Sequence, residues 1–167
     1  MGLAMTCLRL PPTLEGEPDP FRIARLVFGI ADWRRRHPAE QIVDLGAAWQ
    51  ALHYLLTGDA WEGRGPAADV VCGGRLLTED GADELGMDVI YLEPERVAAA
   101  AEHLAETPFE TIAERFDPAA MAAAEVQDAA DMDRDRVLAP AYARVTAFFT
   151  EAAADRQAVF KVLTAAG

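Results

Sequence analysis

Residues 44–66 read D-L-G-A-A-W-Q-A-L-H-Y-L-L-T-G-D-A-W-E-G-R-G-P, and the pattern in this stretch organises the whole chain. Leu45, Ala48, Trp49, Leu52, Leu55 and Leu56 recur at three- and four-residue steps, which predicts one amphipathic helix with a narrow apolar stripe. Asp44 stands where an N-cap is expected, and Gly58 supplies the left-handed residue that stops a helix. A loop punctuated by Gly58, Gly63 and Gly65 follows, carrying Asp59, Trp61 and Glu62. Two tryptophans, a histidine, a tyrosine and two carboxylates therefore fall within 14 positions, a concentration of capable side chains found nowhere else in the chain.

Before this stretch, residues 3–10 are apolar on both alternating faces apart from Thr6 and Arg9, as in a strand buried on both sides. The start of the chain also matches an N-myristoylation pattern from Met1 to Thr6, but the strand reading is preferred because that pattern is permissive. Asp19-Pro20 opens a helix that Gly29 interrupts. After the stretch, Pro66 begins a short helix, Thr78–Gly86 reads as an acidic loop, and Met87–Leu92 reads as a strand. Pro94 starts a helix carrying Val97, Ala101 and Leu104. Thr107-Pro108-Phe109-Glu110 has the form of a capping box, and Asp117-Pro118 restarts the chain again. Val137–Ala154 reads as a long helix, and residues 158–163 as a terminal strand rich in β-branched and aromatic residues. The expected fold is one α+β domain over residues 1–167. It has a small sheet of about three strands, near both termini and mid-chain, covered by five to seven helices.

Composition narrows the function classes. At 51% hydrophobic and 26% charged, the chain can bury a core and is not a disordered tail. Its net charge of -13 repels nucleic acid and anionic membranes and suits a basic partner. Lys161 is the single lysine, and the Arg-rich, Lys-poor usage fits a GC-rich bacterial genome. Cys7 and Cys72 do not make a disulfide framework and read as small buried hydrophobes of a reducing compartment. Neither a signal peptide nor a membrane span is expected, which points to the cytoplasm.

Several chemical motifs fail on their own terms. Gly58–Gly65 has the spacing of a phosphate loop, but Arg64 and Gly65 stand where Lys and Ser/Thr are needed. Asp131, Asp133 and Asp135 alternate like the start of a calcium loop, yet Arg136 replaces the turn glycine and Tyr142 the bidentate glutamate. They read instead as a solvated capping segment. His37, His53 and His103 lack zinc-ligand spacing, so no metal is expected, and no cofactor. Arg34-Arg35-Arg36 beside Trp33 reads as a solvated face paired with carboxylates.

Two readings of residues 44–66 stay open. In the first, Trp49, His53, Tyr54, Thr57, Asp59, Trp61 and Glu62 form a binding surface. Trp49 packs in the core and can stack on His53, Tyr54 faces away from the stripe, and the loop presents an aromatic-acidic patch. This is a non-enzymatic module for a protein partner with basic character, an immunity-type protein being one form of it. In the second, His53 is a general base working with Glu125 or Glu62 in a small hydrolase or transferase.

The segments Asp44–Gly58, Gly63–Pro66, Val71–Gly74, Tyr91–Val97 and Phe116–Val126, in this order and spacing, resemble the YfbM-like bacterial proteins, domain of unknown function family 1877. The W-x-x-L-H-[YF]-x-L-T-G element is the specific part, and the family's Trp, His, Thr and Gly fall on Trp49, His53, Thr57 and Gly58. The resemblance implies a small cytosolic α+β domain with no established activity. Ala122 replaces a frequent family Asn, and residues 125–128 replace its E-I-Y-P, so a site built there with His53 would be altered. Glu93 stands where a better helix cap, often Ser, is usual.

Overall fold

The computed structural model describes residues 2–79 and 82–165. Met1 of the acylation pattern and Asp80-Gly81 of the expected acidic loop lie outside the described residues. In chain order the elements are β1 (Leu3–Leu10), α1 (Pro20–Phe28), β2 (Ile42–Gly46), α2 (Trp49–Thr57), α3 (Gly65–Asp69), β3 (Arg75–Leu76) and α4 (Ala82–Leu85). They continue as β4 (Asp88–Leu92), α5 (Pro94–Glu106), α6 (Phe109–Ile112), α7 (Pro118–Ala123), α8 (Ala139–Ala154) and β5 (Ala158–Ala165).

The strands form one antiparallel sheet in the order β2-β1-β5-β4-β3. The three expected strands are its centre, with Leu3 opposite Ala165 and Asp88 opposite Leu163. The sheet has five strands rather than about three, because β2 and β3 extend it at the two edges. β3 is two residues long, too short for a period to show. The end of β2, residues 44–46, lies inside the stretch assigned to the start of the helix. Leu45 is buried as the stripe requires, but from a strand rather than a helix. Asp44 accepts a bond from its near neighbour Gly46 (N–H to Oδ1, 2.9 Å) and caps no helix. Gly46, at φ 54°, turns the chain towards α2.

Side-chain alternation divides the interior into two cores. Met5, Cys7, Val43, Leu45, Val159 and Leu163 face one way, under α2, α5 and α8. Leu8, Val89, Phe160 and Val162 face the other, under Ile23, Ala24 and Phe28 of α1. A sheet covered on both faces explains why the strands read as apolar runs rather than alternating ones. Asp19 and Asp117 cap α1 and α7 as their sequences predict. Thr107 does not form a capping box; it closes α5, and Pro108 occupies the N-cap of α6. The long helix is shorter than expected, since Arg134–Leu138 forms a π turn capped by Asp133 before α8 begins. Part of the acidic loop is the helical turn α4. No helix among the described residues is long and apolar enough to cross a membrane.

The single lysine sits inside the larger core. Lys161 Nζ donates to the carbonyls of Asp69, the last residue of α3, and Gly73, both at 2.5 Å. Burial lowers its pKa to about 8. Burial likewise raises the Cys7 and Cys72 thiols to about 12, consistent with inert side chains.

Candidate functional site

The candidate site grows from the end of α2. This helix is buried almost all round, with Trp49, Gln50, Ala51, Leu52, His53, Leu55 and Leu56 all inside, so the narrow stripe understates its contacts. Tyr54, expected to be exposed, is half-buried and packs on the main core. Gly58, at φ 83°, donates to the Tyr54 carbonyl at 2.7 Å and ends the helix. Arg115 Nη1 reaches across to the Leu55 carbonyl at 2.8 Å, meeting one of the acceptors a helix end leaves open.

His53 is fully buried. Its Nε2 lies 2.9 Å from the Glu62 carbonyl oxygen, so Nε2 carries the proton and donates. Nδ1 then faces the interior as an acceptor and has no hydrogen-bond partner among the described residues. Burial pulls the imidazole below its ordinary pKa; the Glu62 bond opposes this and the Lys161 charge adds to it. The ring is therefore neutral near pH 7.

The loop beyond Gly58 is pinned from below. Thr57 Oγ1 donates to the His53 carbonyl at 3.0 Å and accepts from Asp59 N–H at 3.1 Å. Asp59 Oδ1 accepts from the N–H groups of Trp61 (2.9 Å) and Glu62 (2.8 Å), which holds its carboxyl below the usual range. Gln50 Nε2 donates to the Ala60 carbonyl at 3.3 Å. The Trp61 indole meets the Trp49 indole edge-on, with centroids 5.3 Å apart, yet Trp61 remains 55% exposed. Trp49 itself is buried and donates through Nε1 to the Leu3 carbonyl at 3.0 Å. Asp59 and Glu62 are exposed beside Trp61.

A His-based enzyme needs a carboxylate within reach of the imidazole, about 2.6–3.2 Å away. His53 meets the backbone of Glu62 instead. Glu125 is exposed, at φ 63°, and its side chain makes no hydrogen bond to His53.

Sequence reading missed the residues that tie this region together. Gln127 accepts from Leu3 N–H at 2.7 Å and donates to the carbonyls of Leu3 (2.8 Å) and Ala47 (3.2 Å). Its own N–H donates to Gln50 Oε1 at 2.8 Å. Gln127 follows α7 and serves as a brace joining β1, the turn into α2 and, through Gln50, the loop. A glutamine in an alanine-rich run gives no local signal of this role.

These features define a small α+β protein with helices on both faces of an antiparallel sheet and a braced aromatic loop at the end of one helix. The profile of the family described as Domain of unknown function (DUF1877) matches residues 8–162, and the chain belongs to this family. Among solved structures, the fold is similar to "The Crystal Structure of a Protein of Unknown Function YfbM from Escherichia coli". The TM-score is 0.67 at 13% identity, covering 96% of this chain and 99% of that one. A comparison with curated proteins returns no match.

Proposed function

We propose that the protein is a non-enzymatic binding module whose Gly58–Gly65 loop presents Trp61, flanked by Asp59 and Glu62, to a protein partner with a basic surface. One observation carries this reading: a tryptophan 55% exposed on a loop whose backbone is fixed by Asp59, Thr57, His53 and Gln50. Tryptophans dominate the energetics of many interfaces, and a loop already held in place loses little entropy on binding. The net charge of -13 supplies long-range attraction for a basic partner. His53 then acts as a strut, holding Glu62 from beneath.

The test is affinity capture from the native host with wild type and Trp61→Ala side by side. A partner held by wild type and weakened at least about tenfold by the substitution, at unchanged melting temperature, supports the reading. Salt-sensitive association that slows in Glu62→Gln supports the charge component. Identical capture by both forms contradicts the role of the loop. Turnover abolished by His53→Gln in a folded protein contradicts the non-enzymatic assignment.

A further inference from the structure

A cavity of about 400 Å³ opens at the end of β4, walled by Glu15, Ile23, Arg75, Tyr91, Glu93 and Arg96. This Tyr91 cleft sets two guanidinium groups beside two carboxylates and so favours neither sign of charge. The Trp61 loop does choose a sign, through one of its two carboxylates. Asp59 is committed to the loop itself, since its Oδ1 accepts from the N–H groups of Trp61 and Glu62. Glu62 turns its backbone carbonyl to His53, while its carboxylate is exposed and in no ion pair among the described residues. That carboxylate is next in sequence to an indole 55% exposed and held edge-on by Trp49. An aromatic ring followed directly by a free glutamate therefore stands on a fixed backbone.

The chain contains one other aromatic residue followed directly by glutamate, Phe109-Glu110, and there the pair is engaged. The Arg134 guanidinium lies over the Phe109 ring, 5.4 Å from its centroid. Its Nη2 bonds the Glu110 carboxylate, and its Nη1 bonds Asp135. Trp33 shows the same combination with an indole. The Arg34 guanidinium stands 5.6 Å from that ring's centroid, and Nη1 meets Asp44 Oδ2 at 3.5 Å. Twice, then, this fold retains a guanidinium between a ring face, which attracts a cation, and a carboxylate, which accepts its N–H groups. No guanidinium lies over Trp61 among the described residues, although indole is the strongest aromatic face for a cation. Arginine suits the pair better than lysine. Its planar guanidinium stacks on an indole while bonding a carboxylate, and it is less strongly hydrated than an ammonium.

We propose, resting on the reading of this loop as a docking surface, that Trp61 and Glu62 together receive one arginine side chain of the partner. The guanidinium lies over the exposed indole and bonds the Glu62 carboxylate. Three probes test it: the Nα-acetyl amides of arginine, lysine and citrulline, titrated into the full chain at pH 7 and followed by amide and indole N–H NMR shifts. Citrulline keeps the shape of arginine without its charge, and the Trp61 indole resonance is the one missing from Trp61→Ala. The arginine probe should shift that resonance saturably, with a Kd at least about threefold below that of lysine and about tenfold below that of citrulline. Glu62→Gln should weaken arginine about fivefold at an unchanged melting temperature, and Trp61→Ala should abolish the shifts of the loop amides. The arginine assignment is overturned if lysine or citrulline binds as tightly, if the shifts map outside residues 58–65, or if Glu62→Gln has no effect. It is also overturned if arginine gives no saturable shift up to about 100 mM. Each of these leaves the docking surface standing, because a partner held by wild type and released by Trp61→Ala tests that separately. Identical capture by wild type and Trp61→Ala sinks both.

Discussion

The Gly58–Gly65 loop and the Tyr91 cleft are both polar surfaces laid over apolar core, but they use their polar atoms in opposite ways. In the loop, Thr57, His53, Gln50 and the Asp59 carboxylate bond to backbone groups. In the cleft, Glu15, Glu93 and Arg75 face solvent without ion partners among the described residues. Polar groups satisfied within the chain build shape, here a fixed platform for Trp61. Polar groups left to solvent contribute little to the shape of the fold. The contrast is physical and open to attack, because groups bonded within the chain should affect stability and solvated ones should not.

The largest effect should come from the foundation of the loop. Trp49→Ala removes a buried indole and its bond to Leu3, and truncation of this kind typically costs about 3–5 kcal/mol. Trp61→Ala, at a largely exposed ring, should cost less than about 1 kcal/mol. Equal losses in urea melts would erase the distinction between platform and presented group.

Next should come the brace. Gln127→Ala leaves the Leu3 N–H and the Leu3 and Ala47 carbonyls without this partner, a loss of about 1–3 kcal/mol. Hydrogen exchange should show faster amides at Leu3 and in residues 58–65, with the amides of Tyr91 and Glu93 unchanged. Faster exchange at Tyr91 and Glu93 as well would mean that the two regions are coupled.

His53 gives the stability of the loop a pH dependence. Its folded pKa is lowered, so the unfolded chain binds the proton more readily. Stability is then full above the unfolded value near 6.5 and falls as pH drops from there towards the folded value. His53→Gln, which keeps a donor for Glu62, should lower stability less than His53→Ala does and flatten the slope below pH 6.5. His37 is shifted in the same direction and persists in both variants, so the difference between them isolates His53. An unchanged slope would remove His53 as its source.

The smallest effect should be Glu93→Gln. This exposed side chain makes no capping bond to α5, so its loss should change stability by less than about 0.5 kcal/mol in urea melts. A large stability change would invert the comparison.

The sequence by itself determined the α+β class, the three central strands and the stop of α2 at Gly58. These rest on local chemistry: apolar runs, proline and aspartate caps, and a glycine able to adopt positive φ. It also picked out Trp61 as a loop residue beside carboxylates. Only the tertiary structure decided the rest. Leu45 satisfies the helical stripe and the strand equally, because burial alone does not reveal which backbone delivers a side chain. Gln127, Arg115 and Lys161 act on backbone groups 60 to 124 positions away, so no local spacing announces them. The cleft is assembled from the turn after β1, from α1, from β3 and from the junction of β4 with α5, four separate places in the chain. A cavity belongs to the space between elements, and that space exists only once the sheet has brought them together.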